Sequence, residues 1–586
     1  MVAQLKSKPV RPKANKASSS IGKRAAIIII FVTCLVIFAN SINNHFVFDD
    51  SEVIVTNNAI TSLANIPIIL GLTTGKPYYR PLRTASYTLD YFFSGLDPTA
   101  YHIFNITYHA IASVLVYLIV LFLLGSHRAA LIAGLIFAVH PVQTDSVTYL
   151  SGRRDVLCGL FYFLGFYYFL KFRENSKGKY LVIVFLSYVL AMASKEMAVT
   201  LVGIFFVYDF LTNIEQGPFF SRIFRGLKDT LVKHRYFYPP LFLLGSAFVV
   251  YKVVVKSPSH AAGYYGGSIL NNVATVARVV VHYVKLLLFP LTLNADYSYN
   301  AFPASRSILE PAVLFSLAIL FLLGGLIVYC MTEKKKWFAF SGLWFFVTLL
   351  PVMQIFPHHE LLAEHYLYIP IFGFALLLAL LFEKTFTLFT SRTSVVYIVL
   401  VMLLFLLSVR TIIRNRDWKD DLTLWTKTVQ TSPDCVRARN NLGRALNNEG
   451  DFSAAIDQFR HAVQVKPDYA EAYCNMGVAY SVLGLAEQAR SSFRKAIELN
   501  PEFDEAYYNV GLLDAQNGNL TEAIESFKKA IEFNSKLVSA YFNLGLAYLK
   551  TADRANAFIQ FKRVLELSPD SPVAEKTKSI LATLRE

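Results

Sequence analysis

The stretch NRDWKDDLTLWTKTVQTSP, residues 415–433, joins two parts of the chain that differ sharply in composition. Before it runs a long apolar segment, and after it begins a series of segments with a fixed period. Trp425 lies 34 residues before Phe459, which gives the stretch the length and phase of half a repeat. We therefore place a domain boundary at residue 416, within this junction stretch.

The residues after the junction stretch recur every 34 positions. Asparagine, glycine, alanine and phenylalanine each keep this spacing at a phase of their own. The four sets are Asn441, Asn475, Asn509 and Asn543; Gly443, Gly477, Gly511 and Gly545; Ala455, Ala489, Ala523 and Ala557; and Phe459, Phe493, Phe527 and Phe561. This period, with small residues where helices cross, resembles the tetratricopeptide repeat (TPR). The sequence predicts a C-terminal α-solenoid of about four and a half repeats over residues 416–586.

Arrays of this kind bind extended peptides in a concave groove and perform no chemistry. The recurring asparagines, which we call the asparagine row, are Asn441, Asn475, Asn509 and Asn543. Their amide groups would lie on the inner helices, where they could hydrogen-bond the backbone of a bound protein or peptide. Because a regular array also repeats residues for packing, support of neighbouring turns explains the same pattern.

The chain before the junction stretch consists largely of apolar runs. Over the whole sequence 54% of the residues are hydrophobic and only 17% are charged, which excludes an ordinary soluble globular protein. Eleven candidate spans lie near residues 22–40, 102–124, 129–145, 155–172, 180–193, 197–213, 237–255, 311–330, 337–356, 365–382 and 394–413. The sequence therefore predicts an all-α protein with a polytopic membrane domain at 25–415, followed by the TPR domain.

The basic residues set the expected orientation of these spans. Residues 1–24 carry lysines and arginines but no acid, which places this N-terminal tail in the cytosol. The formal net charge of +15 does not predict a nucleic-acid partner, because the bases lie between apolar spans rather than along one polar face. With eleven spans, the TPR domain is expected on the external or lumenal side. A bacterial plasma membrane and the endoplasmic reticulum both fit this topology.

One apolar run does not fit a simple span. Residues 269–293 are apolar enough to cross a bilayer, but Arg278, His282 and Lys285 fall inside the run. We expect an amphipathic or re-entrant helix on the outer surface instead.

Polar residues from separate loops converge on the outer side of the predicted topology. Asp49 and Asp50 follow the first span, where adjacent carboxylates near lipid are costly to keep. The others are Arg80; His102, Asn105 and His109, on one helical stripe; His140, Asp145, Arg153, Arg154 and Asp155; Lys195 and Glu196; and Glu364 and His365. A structural ion pair explains any single member, whereas convergence of separate loops is typical of a functional site.

Several of these segments resemble one family. Seven segments occur in a fixed order before the repeats: FDDSEVIVTNN, YYRPLRTASYTLDY, HIFNITYHA, VHPVQTDSVTYLSGRRD, SKEMAVTL, LLAEHYLYIP and RDWKDDLTLW. The set resembles the transmembrane and TPR-containing protein O-mannosyltransferases and their bacterial relatives, within the C-type membrane glycosyltransferases. One position departs from the family pattern, because His365 stands in place of an arginine. That departure weakens a phosphate-binding role at this position.

The resemblance implies transfer of a sugar, mannose by analogy, from a polyprenyl- or dolichyl-phosphate donor to a hydroxyl acceptor, on a protein Ser or Thr. A general base must stand beside that hydroxyl, and Asp49 or Asp50 is the candidate. Cations must hold the donor phosphate, and these are available at Arg80, Arg153, Arg154 and Lys195. The carboxylate pair would serve equally as ligands of a divalent metal, Mg²⁺ or Mn²⁺, and the sequence does not separate the two roles.

Two other classes of function fit parts of the sequence. A non-catalytic, membrane-anchored TPR scaffold would need the repeats but not the acids on the outer side. A transporter or lipid flippase would need polar groups throughout the depth of the bilayer, whereas the intramembrane charges gather toward one end.

Overall fold

The computed structural model describes residues 22–73, 80–214, 219–252, 263–333, 335–355, 360–569 and 571–585. These residues are almost entirely helical, and they contain no strand. The chain divides into two compact units, Met1–Tyr297 with Phe302–Leu424, and Ser298–Ala301 with Trp425–Glu586. The division falls after Leu424 rather than at 416, so part of the junction stretch belongs to the first unit, which we call the membrane unit. Residues 1–21 of the basic tail lie outside the described residues.

The membrane unit is built from sixteen α-helices and the start of a seventeenth within its described residues. They are α1 (Lys23–Phe38), α2 (Ile66–Ile69), α3 (Pro81–Ser94), α4 (Pro98–Leu124), α5 (His127–Val139), α6 (Thr144–Val147), α7 (Arg153–Asn175), α8 (Gly178–Ser194), α9 (Thr200–Asn213), α10 (Phe219–Lys233), α11 (Tyr238–Val250), α12 (Ile269–Leu288), α13 (Pro311–Thr332), α14 (Lys336–Leu349), α15 (Ile371–Leu388), α16 (Thr393–Asp417) and α17 (Asp421–Thr431).

The apolar helices reproduce the predicted spans. Seven described helices are long and apolar enough to cross a bilayer, and α5 with the segment after it forms an eighth that is bent by 50°. Three shorter apolar helices, Gly178–Ser194, Tyr238–Val250 and Lys336–Val352, stand at the remaining predicted positions. The helix α12 is not in this set, as expected for the run at 269–293. The prediction of an all-α polytopic membrane fold is confirmed.

Aromatic side chains fix the helices beneath the polar residues. The ring of the fully buried Trp344 lies 4.2 Å from that of Phe372 and 5.2 Å from that of Phe166, and its indole N–H donates to the carbonyl of Ile369 at 3.0 Å. A Cβ added at Gly373 would collide with the backbone carbonyl of Ser341, so α14 and α15 pack at backbone distance. This packing holds α15, which follows the segment that carries Glu364 and His365.

The second unit is the predicted TPR α-solenoid, which is also confirmed. Its helices are α18 (Val436–Asn448), α19 (Phe452–Val465), α20 (Ala470–Val482), α21 (Ala486–Leu499), α22 (Asp504–Gln516), α23 (Leu520–Phe533), α24 (Val538–Lys550), α25 (Arg554–Leu567) and α26 (Pro572–Arg585). A Cβ added at Gly443, Gly477, Gly511 or Gly545 would come within 2.5, 2.6, 2.7 or 2.8 Å of the phenylalanine ring of the same repeat. The 34-residue period therefore records one helix crossing per repeat.

Candidate active site in the membrane unit

The loop after α1 presents its two adjacent carboxylates in different ways. Asp50 is fully buried; its Oδ1 accepts hydrogen bonds from the backbone N–H and the hydroxyl of Ser151, at 2.8 and 2.6 Å. Its Oδ2 accepts from the backbone N–H of Val47 at 3.1 Å. Burial raises the pKa of Asp50 to about 7, although these three hydrogen bonds act to lower it. Asp50 therefore fastens the loop to the turn before α7.

Asp49, by contrast, is half-buried, and its carboxylate makes no hydrogen bond or ion pair with any residue that the structure describes. Its charge acts on Tyr149 and Arg154. The ring of Tyr149 stacks on Phe48 at 6.0 Å and on Trp418 at 5.0 Å, which forms an aromatic wall beside the loop. The carboxylate that remains available for chemistry is therefore that of Asp49.

Arg153 has a structural role rather than the predicted contact with a donor phosphate. It is fully buried and pairs with the carboxylate of Asp90. It also donates to Asn105 Oδ1 at 2.6 Å and to the carbonyl of Tyr101 at 2.7 Å. The guanidinium joins α3, α4 and α7 and presents no exposed donor. Asp90, its partner, was not predicted from the sequence.

The predicted supporting residues on α4 and α5 also brace the helices. His102 Nε2 lies 3.1 Å from the carbonyl of Asn44, and His140 Nε2 lies 3.0 Å from that of Leu287. His109 contacts the hydroxyl of Tyr368 at 2.9 Å and the carbonyl of Ala138 at 3.2 Å. The amide of Asn105 donates to the carbonyl of Val147 at 3.2 Å. All four side chains are buried, so they hold backbone in place rather than face a ligand.

A second group of predicted residues does come together around the start of α7. Lys195 donates to Asp155 Oδ1, and Arg154 Nε lies 3.4 Å from Asp155 Oδ2. Asp155 thus neutralises Lys195, which is only 3% exposed. Arg154 keeps 12% of its side chain exposed, and it contacts Asp155 through Nε.

His365, where the sequence departs from the expected arginine, joins this group. Its Nδ1 and its backbone N–H lie 3.1 and 2.9 Å from Asp145 Oδ2. Because Asp145 orients one ring nitrogen, the other points to Arg154 at 3.4 Å and to Glu360 at 3.7 Å. Glu360 also accepts from the hydroxyl of Tyr366 at 2.9 Å, and it was not predicted.

The first turn of α3 adds two more cations. Arg80 donates to Glu196 Oε1 at 3.1 Å. Arg83 has a buried Nε without a hydrogen-bond partner and makes no ion pair within the described part of the chain. Burial lowers the pKa of Arg83, and so do the positive charges of Arg80 and Arg154. Arg83 was missed in the sequence, although its position three residues after Arg80 puts both on one helical face.

Glu364 belongs to a different cluster. It is fully buried and accepts from the backbone N–H of Asn294 and from the hydroxyl of Tyr297 at 2.8 Å. Arg414, also unpredicted, lies 3.6 Å from its other oxygen and 3.0 Å from Asp417. Burial raises the pKa of Glu364 to about 7. This cluster ties the loop after α12 to the end of α16.

The residues around the carboxylate pair do not fit a divalent metal. Within the described ranges, no group of three or more His, Cys, Asp or Glu side chains is arranged to hold one. Both oxygens of Asp50 already accept hydrogen bonds, so within the carboxylate pair only Asp49 could offer free oxygens to a metal. Mg²⁺ and Mn²⁺ prefer several oxygen ligands, so one carboxylate is a poor site.

The asparagine row makes a regular set of contacts between repeats. The side-chain N–H of Asn475 donates to Asn440 at 2.9 Å, that of Asn509 to the Cys474 sulfur at 3.5 Å, and that of Asn543 to Tyr508 at 2.9 Å. Each partner lies 35 residues earlier. Asn441, in the first repeat, makes no side-chain hydrogen bond with another described residue. The side-chain oxygens of the row remain available as acceptors.

Comparison with known proteins agrees with this architecture. Residues 91–225 match the family model of dolichyl-phosphate-mannose-protein mannosyltransferases, and TPR models match within 443–571. The chain is 28% identical over 488 residues to protein O-mannosyl-transferase TMTC4 of Homo sapiens, covering 74% of this chain and 65% of that protein. It is 27% identical over 463 residues to TMTC3 of Mus musculus, covering 72% and 49%.

A third relative, Tmtc1 of Drosophila melanogaster, is 26% identical over 518 residues, with 72% of this chain and 59% of that protein covered. The chain thus spans between about half and two thirds of the length of these relatives. The resemblance that the motifs predicted is confirmed: the chain joins a segment of the dolichyl-phosphate-mannose-protein mannosyltransferase type to TPR repeats, and over most of its length it is similar to the TMTC protein O-mannosyl-transferases.

Proposed function

We propose that the protein is a membrane glycosyltransferase that moves mannose from a polyprenyl- or dolichyl-phosphate donor to the hydroxyl of a protein Ser or Thr. The observation that carries this proposal is the pairing state of the candidate site. Among the described residues, Asp49 makes no hydrogen bond or ion pair and Arg83 has no counter-ion, and the charge of Arg154 acts on Arg83. An unpaired carboxylate whose charge acts on the partly exposed Arg154 suits an acceptor hydroxyl and a phosphate ester.

In this mechanism Asp49 is the general base. It removes the proton of the acceptor hydroxyl as the oxygen attacks the anomeric carbon of the donor sugar. The bond between that carbon and the phosphate oxygen breaks, and its electrons leave with the lipid phosphate. No general acid is required, because a phosphate is already a good leaving group. Asp50 is unsuited to the task, since both its oxygens accept hydrogen bonds from the protein.

Arg83 and Arg154 are the proposed phosphate ligands. Their positive charges would bind the donor and stabilise the negative charge that grows on the leaving phosphate. Lys195 contributes less, because Asp155 already neutralises it. Arg80 shares its charge with Glu196 in the same way. Charges left unpaired in a partly buried place reduce stability, so a scaffold without catalytic function would gain nothing from them.

The topology and the role of the repeats complete the proposal. We place the N-terminus in the cytosol and the TPR unit on the external or lumenal side, where it would bind the acceptor protein or a partner. A reporter fused at Glu586 should then be accessible from the external side, and one inserted at Lys335 from the cytosol. A cytosolic Glu586 would overturn this topology.

The test of the activity is a transfer assay on purified protein with polyprenyl-phosphate sugars and a Ser- or Thr-containing acceptor. Asp49→Asn keeps the size of the side chain but removes the base, so turnover should fall by about 10²–10⁴-fold with no loss of folding. Asp50→Asn is the matched control and should act mainly on stability. Full turnover in Asp49→Asn would show that the base lies elsewhere, and absence of transfer by the wild type would favour the scaffold.

A further inference from the structure

The junction stretch is hydrogen-bonded to the loop that carries Asp49. The backbone N–H of His45 donates to the carbonyl of Lys419 at 2.9 Å, and that of Phe48 donates to Asp421 Oδ1 at 2.9 Å. The side-chain amide of Asn44 donates to the carbonyl of Asn415 at 3.0 Å. All these residues belong to the membrane unit. The junction stretch, more than 350 residues later in the sequence, is thus hydrogen-bonded to the loop at three successive points.

The backbone of Phe48 requires stabilising contacts because it is left-handed, with φ of 55°. This conformation is rare for a bulky side chain and persists only where surrounding contacts enforce it. Two contacts do so here. Asp421 holds the N–H of Phe48, and the Phe48 ring stacks on Tyr149.

The turn at Phe48 decides where the two carboxylates point. Residue 48 lies between Val47, whose N–H donates to Asp50 Oδ2, and Asp49, whose carboxylate makes no hydrogen bond or ion pair with a described residue. A change of φ at this residue redirects every following bond of the loop. The left-handed turn therefore lets Asp50 reach Ser151 and leaves the half-buried Asp49 carboxylate without a hydrogen bond to the described residues.

Asp421 would have a simpler explanation if it only stabilised the start of α17. That task belongs to its neighbour, because Asp420 Oδ1 accepts from the backbone N–H of Thr423 at 2.8 Å and the carbonyl of Asp420 accepts from Leu424 at 2.9 Å. The Asp421 carboxylate is thus not needed to cap α17 and can accept the hydrogen bond from the loop. We infer that Asp421 is a positioning residue that fixes the left-handed turn at Phe48 and thereby the direction of Asp49. This inference rests on the proposed role of Asp49 as the base.

The experiment compares four variants of the full-length protein in the transfer assay. Asp421→Ala removes the acceptor of the Phe48 N–H and should lower kcat by about 10²-fold, the effect of a displaced reacting group, with little change in the KM of the donor. Asp421→Asn retains Oδ1 and should recover most of that turnover. Asp421→Glu keeps the charge but displaces the acceptor, so it should lower kcat even if the alanine variant folds poorly. Asp420→Ala, the matched control, should leave kcat unchanged.

Hydrogen–deuterium exchange supplies a readout that does not depend on activity. Peptides that cover residues 45–53 should exchange faster in Asp421→Ala than in the wild type or in Asp421→Asn. Normal kcat or normal exchange in Asp421→Ala, with turnover still abolished in Asp49→Asn, would overturn the inference and leave the proposed function standing. Equal loss in Asp421→Ala and Asp421→Asn would overturn it as well. If Asp49→Asn retained full turnover, the proposed function would fail first.

Discussion

Two polar regions meet at the consecutive residues Arg153 and Arg154, and they differ in how completely their charges are paired. Arg153 is buried against Asp90, an amide and a carbonyl, and its guanidinium is shut off from solvent. One residue later, Arg154 stays partly exposed, and its charge interacts with those of Arg83 and Asp49. Among the described residues Asp49 makes no hydrogen bond or ion pair, and Arg83 has no counter-ion, although its guanidinium lies 6.0 Å from the Tyr87 ring. A structural role and, in the proposed mechanism, a catalytic one thus fall at adjacent positions of one helix.

The difference has a physical reason. A buried charge that lacks a partner costs several kcal/mol in principle, so a fold tolerates few of them and only where neighbouring groups are rigidly held. The paired region around Arg153 joins three helices and supplies that rigidity. In the proposed mechanism, the open region can then hold Asp49 and Arg83 in place for a substrate, while Arg154 also contacts Asp155.

The largest expected effect comes from breaking the paired region. Arg153→Met should lower the free energy of unfolding by about 3–5 kcal/mol, because it leaves Asp90 buried and uncompensated. Thermal or denaturant midpoints of the detergent-solubilised protein would measure the loss. The double variant Arg153→Met with Asp90→Asn should recover part of it, since the remaining buried group is neutral. Equal stability of the single variant and the wild type would contradict the structural role.

The open region should respond in binding instead. Arg83→Gln removes a proposed phosphate ligand, and a hydrogen bond to a charged group contributes about 1.5–3 kcal/mol, so the donor KM should rise by about 10- to 100-fold. Stability should change little, because Arg83 has no counter-ion among the described residues and its guanidinium lies as far as 6.0 Å from the Tyr87 ring. Arg128→Gln is the matched control, since Arg128 pairs with Glu383 at 3.0 Å away from these residues. An unchanged donor KM in Arg83→Gln would remove it from the phosphate site.

The sequence predicts the fold of this chain better than its site for identifiable reasons. The helix crossing in each repeat recurs as a Gly–Phe pair, such as Gly443 with Phe459, so one period specifies the whole array. The polar contacts of the membrane unit do not recur at a fixed period, so no repeat in the sequence predicts them. Arg153 and Asp90 form an ion pair although they are 63 residues apart in the sequence, and no local sequence pattern predicts it.

The convergence of polar loops could be foreseen, but their division into paired and open groups could not. Asp49 and Asp50 are chemically identical in the sequence. The left-handed φ of Phe48 and the hydrogen bonds from Ser151 separate them, and both arise from tertiary contacts. In the sequence, Arg83 does not differ from any arginine near the start of a helix, and only its surroundings in the structure distinguish it.

A smaller effect should appear in the pH dependence of stability. Burial raises the pKa of Asp50 to about 7, above its usual 3.8, so the folded protein holds this proton more tightly than the unfolded chain does. The stabilisation is complete below the usual pKa and is lost as the pH rises through about 7. The unfolding midpoint of the wild type should therefore fall more between about pH 5 and about pH 8 than that of Asp50→Asn. Equal slopes in the wild type and Asp50→Asn would contradict the buried state of Asp50.

The smallest effects are expected in the TPR unit, where two roles of the asparagine row can be separated. Asn509→Ala removes one half-exposed hydrogen bond to the preceding repeat and should cost about 0.5–1.5 kcal/mol of stability. Asn441→Ala removes no such bond and should cost nothing. If the side-chain oxygens of the row bind the acceptor backbone, both variants should raise the KM for a protein acceptor while transfer to a short peptide stays normal. If Asn441→Ala leaves the protein-acceptor KM unchanged and Asn509→Ala alters only the unfolding midpoint, the row supports the repeats and the acceptor is bound elsewhere.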